Sequence, residues 1–121
     1  MNATLIKEFT FEAAHRLVNH NGKCARPHGH SYRVIAEIEG PIKPADGTPD
    51  EGMVLDFEHV KAIRDMLDHQ DLNEVIGEET GPTTAENIAL WIAAEIVAER
   101  GELTAVVTVW ETATSSATVS M

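Results

Sequence analysis

The 121-residue sequence has a single cysteine, Cys24, so no disulfide can form within the chain. A lone cysteine with several histidines close by in sequence reads as reactive or metal-associated. Cations are scarce: nine Lys and Arg stand against 20 Asp and Glu, for a net charge of −11. That balance argues against nucleic acid or an anionic membrane surface as a partner. A small anionic substrate would need a local cluster of positive charge, and the cations nearest the histidines are Arg16, Lys23, Arg26 and Arg33. Long apolar runs are also missing, and none reaches the roughly 20 residues needed to cross a bilayer. The first residues, MNATLIKEFTFEAAH, lack the basic start and apolar stretch of a signal peptide, so a cytoplasmic location is expected. What remains is the composition of a globular protein, in a length suited to one domain over residues 1–121.

Periodicity supplies the elements. Residues 5–14 are extended in character, with Phe9 and Phe11 on one face and Thr10 and Glu12 on the other. The stretch 19–29 (NHNGKCARPHG) is rich in Gly, Asn and Pro and reads as a loop. Residues 31–39 alternate again, with Tyr32, Val34, Ala36 and Ile38 sharing a face. A Pro- and Gly-dense connection follows over 40–52. Asp56 then caps a helix whose stripe is Phe57, Val60, Ile63 and Leu67, ending near Asp68. Thr83, with Glu86 three residues on, fits a capping box for a second helix that Gly101 stops. Residues 103–110 and 116–121 form a last hairpin. The order β-β-α-α-β-β predicts an α+β fold: a four-stranded antiparallel sheet with two helices on one face. Its two open edges predict association with further copies of the chain.

CARPHGHSY carries the densest chemistry. His28 and His30 are two apart, so on a strand both imidazoles point to one side. If the first two strands pair, His15 lies across from them. Three imidazoles without a fourth protein ligand are the pattern of a catalytic zinc, which keeps one position open. His20 and His59 read as loop or surface histidines.

Six segments extend this reading: FTFEAAH (9–15), CARPHGHSY (24–32), GMVLDF (52–57), LDHQDLN (67–73), PTTAEN (82–87) and WET (110–112). With these in order along almost the whole chain, the sequence resembles the 6-pyruvoyltetrahydropterin synthase superfamily. The likeness is greatest to its bacterial branch that makes 6-carboxy-5,6,7,8-tetrahydropterin for the queuosine pathway. The resemblance implies the tunnelling fold, in which protomers join their sheets into a barrel as a hexamer, a dimer of trimers. It also implies an active site between protomers and zinc on His15, His28 and His30. The implied substrate is 7,8-dihydroneopterin triphosphate, with acetaldehyde and triphosphate released.

Cys24 matches the family's catalytic cysteine, and His69 its catalytic histidine with Asp68 as partner. A Cys–His–Asp relay is chemically coherent, because the acid orients the imidazole. Neighbours on a regular helix point apart, so Asp68 can serve His69 only if the backbone leaves helical geometry there; Asp71 is the rival partner. Glu111 matches the glutamate that anchors the pterin, whose ring edge offers two donors to one carboxylate. Thr83 and Thr84 are candidates to touch the pterin, although helix capping explains at least one of them. Arg26 and Lys23 stand close enough to meet a triphosphate. The chain departs from the family in having no aromatic residue after Glu111. Rival readings are a synthase of 6-pyruvoyltetrahydropterin, the hydroxymethyl-forming folate variant (against which Cys24 argues), and a non-catalytic zinc module with Cys24 as fourth ligand.

Overall fold

The computed structural model describes residues 1–77 and 80–121. Strand β1 covers Asn2–His15 and β2 covers His28–Pro41, paired antiparallel from Asn2↔Pro41 to His15↔His28. Both run longer than the alternation predicts. Ala13, Gly29 and the histidines carry little hydrophobic signal, yet the register continues through them. The loop between the strands holds a single 3-10 turn at Lys23–Ala25. Helix α1 (Phe57–Leu67) follows, then strand β3 (Gln70–Asp71), the short helix α2 (Leu72–Val75), helix α3 (Ala85–Val97), β4 (Thr104–Thr112) and β5 (Ser115–Ser120).

The sheet order is β3-β1-β2-β4-β5. The expectation of four antiparallel strands is therefore corrected to five in a mixed sheet, because β3 pairs parallel with β1 at Ala13↔Gln70 and Ala14↔Asp71. Two residues carry no periodicity, so neither β3 nor the one-turn α2 leaves a sequence signal. The expected final hairpin is present, with β4 also paired antiparallel to β2.

The α+β class and the one-sided helix layer are as expected. Phe11 and Ala13 of β1, Tyr32, Val34, Ala36 and Ile38 of β2, and Ala105, Val107 and Val109 of β4 are buried on one face. Phe11 and Tyr32 stack there with ring centroids 4.8 Å apart. Helix α1 packs on β1, and α3 on β4 and β5. Ile88, Ile92 and Ile96 of α3 are fully buried, and each such side chain contributes roughly 1.5–3 kcal/mol.

Asp56 caps α1 as predicted, accepting from the Glu58 N–H at 2.9 Å. At α3 the cap is Thr84, which accepts from the Asn87 N–H at 3.2 Å, so the cap predicted at Thr83 lies one residue later and the Thr83–Glu86 capping box does not form; the Thr84 N–H donates to the Pro82 carbonyl instead. Thr83 is drawn away from the helix by bonds to the end of β1.

Candidate metal centre and active site

The core face of the sheet changes character at one end. Along β1 the inward residues run Phe11, Ala13, His15; along β2 they run Tyr32, His30, His28; along β4 they run Val107, Val109, Glu111. Strand alternation thus carries apolar packing straight into a polar cluster. One donor atom from each of His15, His28, His30 and Glu111 lies within 4.8 Å of the others. The three imidazole centroids are 4.5, 5.1 and 5.0 Å apart.

Two of the three rings are oriented through their other nitrogen. His15 Nδ1 lies 2.7 Å from the Thr83 carbonyl, and His28 Nδ1 lies 2.7 Å from the Arg26 carbonyl. A carbonyl only accepts, so Nδ1 carries the proton in both, and Nε2 presents its lone pair. The Nε2 atoms of His15 and His30 are buried without a hydrogen-bond partner among the described residues. Glu111 Oε1 lies 3.0 Å from His30 Nε2 and 3.7 Å from His15 Nε2, but outside hydrogen-bond geometry. Burial holds the His15 pKa below its ordinary value, outweighing the Thr83 bond and Glu111, so the neutral form is favoured. Buried nitrogen lone pairs that converge without a partner, beside one carboxylate, fit a divalent metal ion. The carboxylate that lies within reach of the three nitrogens is that of Glu111, and Cys24 is not in the group. Tyr32, whose hydroxyl is buried without a partner, floors the cluster; burial first and then Glu111 raise its pKa.

Asp68 and His69 lie at the opposite edge of β1. The backbone does leave helical geometry: Asp68 is extended, with φ −68° and ψ 130°, and His69 is left-handed at φ 60°. The turn brings His69 Nδ1 to 3.0 Å from Asp68 Oδ2. Asp71 instead caps α2, accepting from the Asn73 N–H at 3.0 Å. Asp68 Oδ1 also accepts from the Glu12 N–H at 3.0 Å; that bond, then His69 and Arg64, holds the Asp68 carboxyl below its ordinary range. His69 and His30 border one open cleft of about 600 Å³.

Cys24 is half-buried in the 3-10 turn, where its carbonyl accepts from the Leu17 N–H at 2.8 Å. It is not among the residues that line the His69 cleft. Arg26 is exposed, and its backbone rather than its side chain touches the cluster. Thr84 lines a separate cleft with Arg16, His20 and Asn73, while Thr83 is buried against His15. His20 accepts from the Gly22 N–H within its loop, and His59 pairs with Glu99 at the surface, as expected of both. Two contributors escape sequence reasoning: the carbonyls of Thr83 and Arg26, which have no sequence signal.

Fold and cluster together define an α+β protein with a three-histidine, one-carboxylate group fit for a metal ion. The family model described as 6-pyruvoyl tetrahydropterin synthase matches residues 4–121, and the chain belongs to that family. It is 42% identical over 97 residues to 6-carboxy-5,6,7,8-tetrahydropterin synthase of Synechocystis sp., covering 76% of this chain and 73% of the relative. To the Haemophilus influenzae protein of the same name it is 30% identical over 132 residues, covering 90% and 92%. Its fold matches 6-pyruvoyl tetrahydropterin synthase of Caenorhabditis elegans with a TM-score of 0.74 at 24% identity, covering 100% of this chain and 96% of that one. The chain is thus an enzyme of the pterin synthase family.

Proposed function

We propose that the chain converts 7,8-dihydroneopterin triphosphate and one water to 6-carboxy-5,6,7,8-tetrahydropterin, releasing acetaldehyde and triphosphate, with Zn²⁺ as cofactor. The observation that carries this reading is the convergence of His15, His28 and His30 with Glu111 in a chain whose relatives bear that activity's name. Imidazole nitrogens with a carboxylate suit zinc, and three histidines leave a position for substrate oxygen. Bound there, zinc would supply Lewis acidity toward the hydroxyls of the substrate side chain.

The chain's own residues would do the rest. Glu111 accepts the two donors of the pterin ring edge and so sets the side chain against the cluster. The Cys24 thiolate accepts a proton from the side-chain carbon. His69, oriented by Asp68, moves the proton at the neighbouring oxygen. Thr83 and Thr84 are further candidates to touch the ring, and Arg26 is the candidate to meet the triphosphate. Cys24 and His69 come from different protomers in a hexamer, and the product feeds queuosine synthesis in the cytoplasm.

The test is product analysis. The zinc-loaded protein and dihydroneopterin triphosphate are expected to yield 6-carboxytetrahydropterin by mass spectrometry, with acetaldehyde in equal amount. A 6-pyruvoyl product without acetaldehyde would replace this reading with the pyruvoyl-forming one. Bound zinc without turnover would leave a non-catalytic module.

A further inference from the structure

His15 is the most buried of the three histidines, and it is the last residue of β1. Its pairing with β2 stops at that residue, so the backbone beyond it has no strand partner among the described residues. Asn73 of α2 supplies one. The Arg16 N–H donates to Asn73 Oδ1 at 2.9 Å, and Asn73 Nδ2 donates to the Arg16 carbonyl at 3.0 Å. A carboxamide offers one acceptor and one donor side by side, so it can stand in for a neighbouring strand. The Thr83 hydroxyl lies 3.3 Å from both the Arg16 carbonyl and Asn73 Oδ1, and the Thr83 carbonyl accepts from His15 Nδ1. The bracket is itself anchored. The Asn73 N–H donates to Asp71, which pairs with Ala14 through β3.

We propose that Asn73 is a positioning residue of the metal centre: by bracketing the backbone of Arg16, with Thr83 against its side, it fixes the direction of His15 Nε2. The small β3–α2 insertion then has a purpose beyond packing. It joins the end of β1 to the segment that carries Asp68 and His69, so one metal ligand and the acid–base pair hang from a single tether. The inference rests on the proposed metal-binding reading of the cluster.

The test reads metal affinity and ligand geometry rather than turnover. Co²⁺ binding would be measured by competition with a chromophoric chelator, and the Co²⁺ visible spectrum recorded. Asn73→Ala removes the bracket, and Asn73→Asp keeps its shape but sets an oxygen against the Arg16 carbonyl. Both are expected to weaken Co²⁺ binding about tenfold to hundredfold and to alter the spectrum, as loss of an outer partner does. Glu74→Gln, exposed on the same helix, is expected to leave both unchanged. Metal-free circular dichroism and melting would show that the fold persists. Should the Asn73 variants not fold, Thr83→Ser against Thr83→Val decides: the serine retains affinity and the valine loses it. Parental affinity and spectrum in both Asn73 variants, or equal affinity in the two Thr83 variants, overturns the inference. A parent protein that binds no Co²⁺, or a His15→Ala variant that binds like the parent, overturns the metal reading instead.

Discussion

Glu111 stands between two roles, and its position decides how to separate them. Its carboxylate lies 3.0 Å from His30 Nε2, close enough to share a metal, yet the proposed function gives it to the pterin. Three imidazoles already make a complete catalytic zinc set. Glu111→Gln keeps one acceptor oxygen but loses the charge and turns an amide N–H toward the ring edge. A charge-assisted hydrogen bond contributes roughly 1.5–3 kcal/mol. The expected outcome is pterin binding weakened about tenfold to hundredfold at nearly unchanged Zn²⁺ affinity, read by pterin fluorescence titration and chelator competition. A fall in zinc affinity as large as that of His30→Ala would make Glu111 a ligand in its own right.

The corner between α1 and β3 shows how an element is bent to serve a side chain. His69 sits at φ 60°, a conformation that side chains with a Cβ adopt at a cost and glycine adopts freely. His69→Gly is therefore expected to be more stable than His69→Ala by about 1 kcal/mol in urea unfolding, although neither retains activity. Equal stabilities would mean that the corner is unstrained. The same corner makes a pH prediction. The Asp68 carboxyl is held below its ordinary value of 3.8, chiefly by the Glu12 N–H. A depressed folded pKa stabilises the fold fully above that ordinary value and ceases to do so as pH falls through the folded value. The stability advantage of the parent over Asp68→Asn is thus expected to be constant from pH 5 to 7 and to vanish under stronger acid. An advantage unchanged at pH 2 would show that the carboxylate charge is not its source. These details also mark the limit of sequence reading at this scale. The long strands, α1 and α3 are legible because alternation or spacing repeats over many residues, and the three histidines because two stand two apart on a strand whose partner carries the third. The φ of His69, the two-residue β3, the one-turn α2 and the shift of the α3 cap to Thr84 each depend on one or two residues and on contacts 50 or more positions away, such as Glu12 with Asp68 and Arg16 with Asn73.

At the scale of the molecule, the cluster sits on the helix-covered face of the sheet, whereas the Asp68–His69 pair lies on the far edge of β1. Cys24 belongs to the β1–β2 loop and does not line the cleft that His69 borders. Beyond Ala13 and Ala14 no strand pairs with the outer edge of β1, although Glu12 bonds Asp68 and His69 there and the Thr10 carbonyl accepts from Arg64; β5 ends the sheet on the other side with its own edge free among the described residues. Unpaired edges of this kind favour strand addition from another copy. The proposal that Cys24 and His69 meet across protomers has a direct consequence. Cys24→Ala and His69→Ala variants are each expected to be inactive alone. If they are unfolded and refolded together in equal amounts, about a quarter of the composite sites in a randomly assembled symmetric oligomer combine an intact Cys24 from one protomer with an intact His69 from another. Acetaldehyde release by the co-refolded mixture, at about that fraction of the parent rate, is the expected result, with light scattering confirming the oligomer. A mixture that assembles but stays silent would place both residues in the active site of a single protomer, and the gap between the Cys24 loop and the His69 edge would then have to close within one chain.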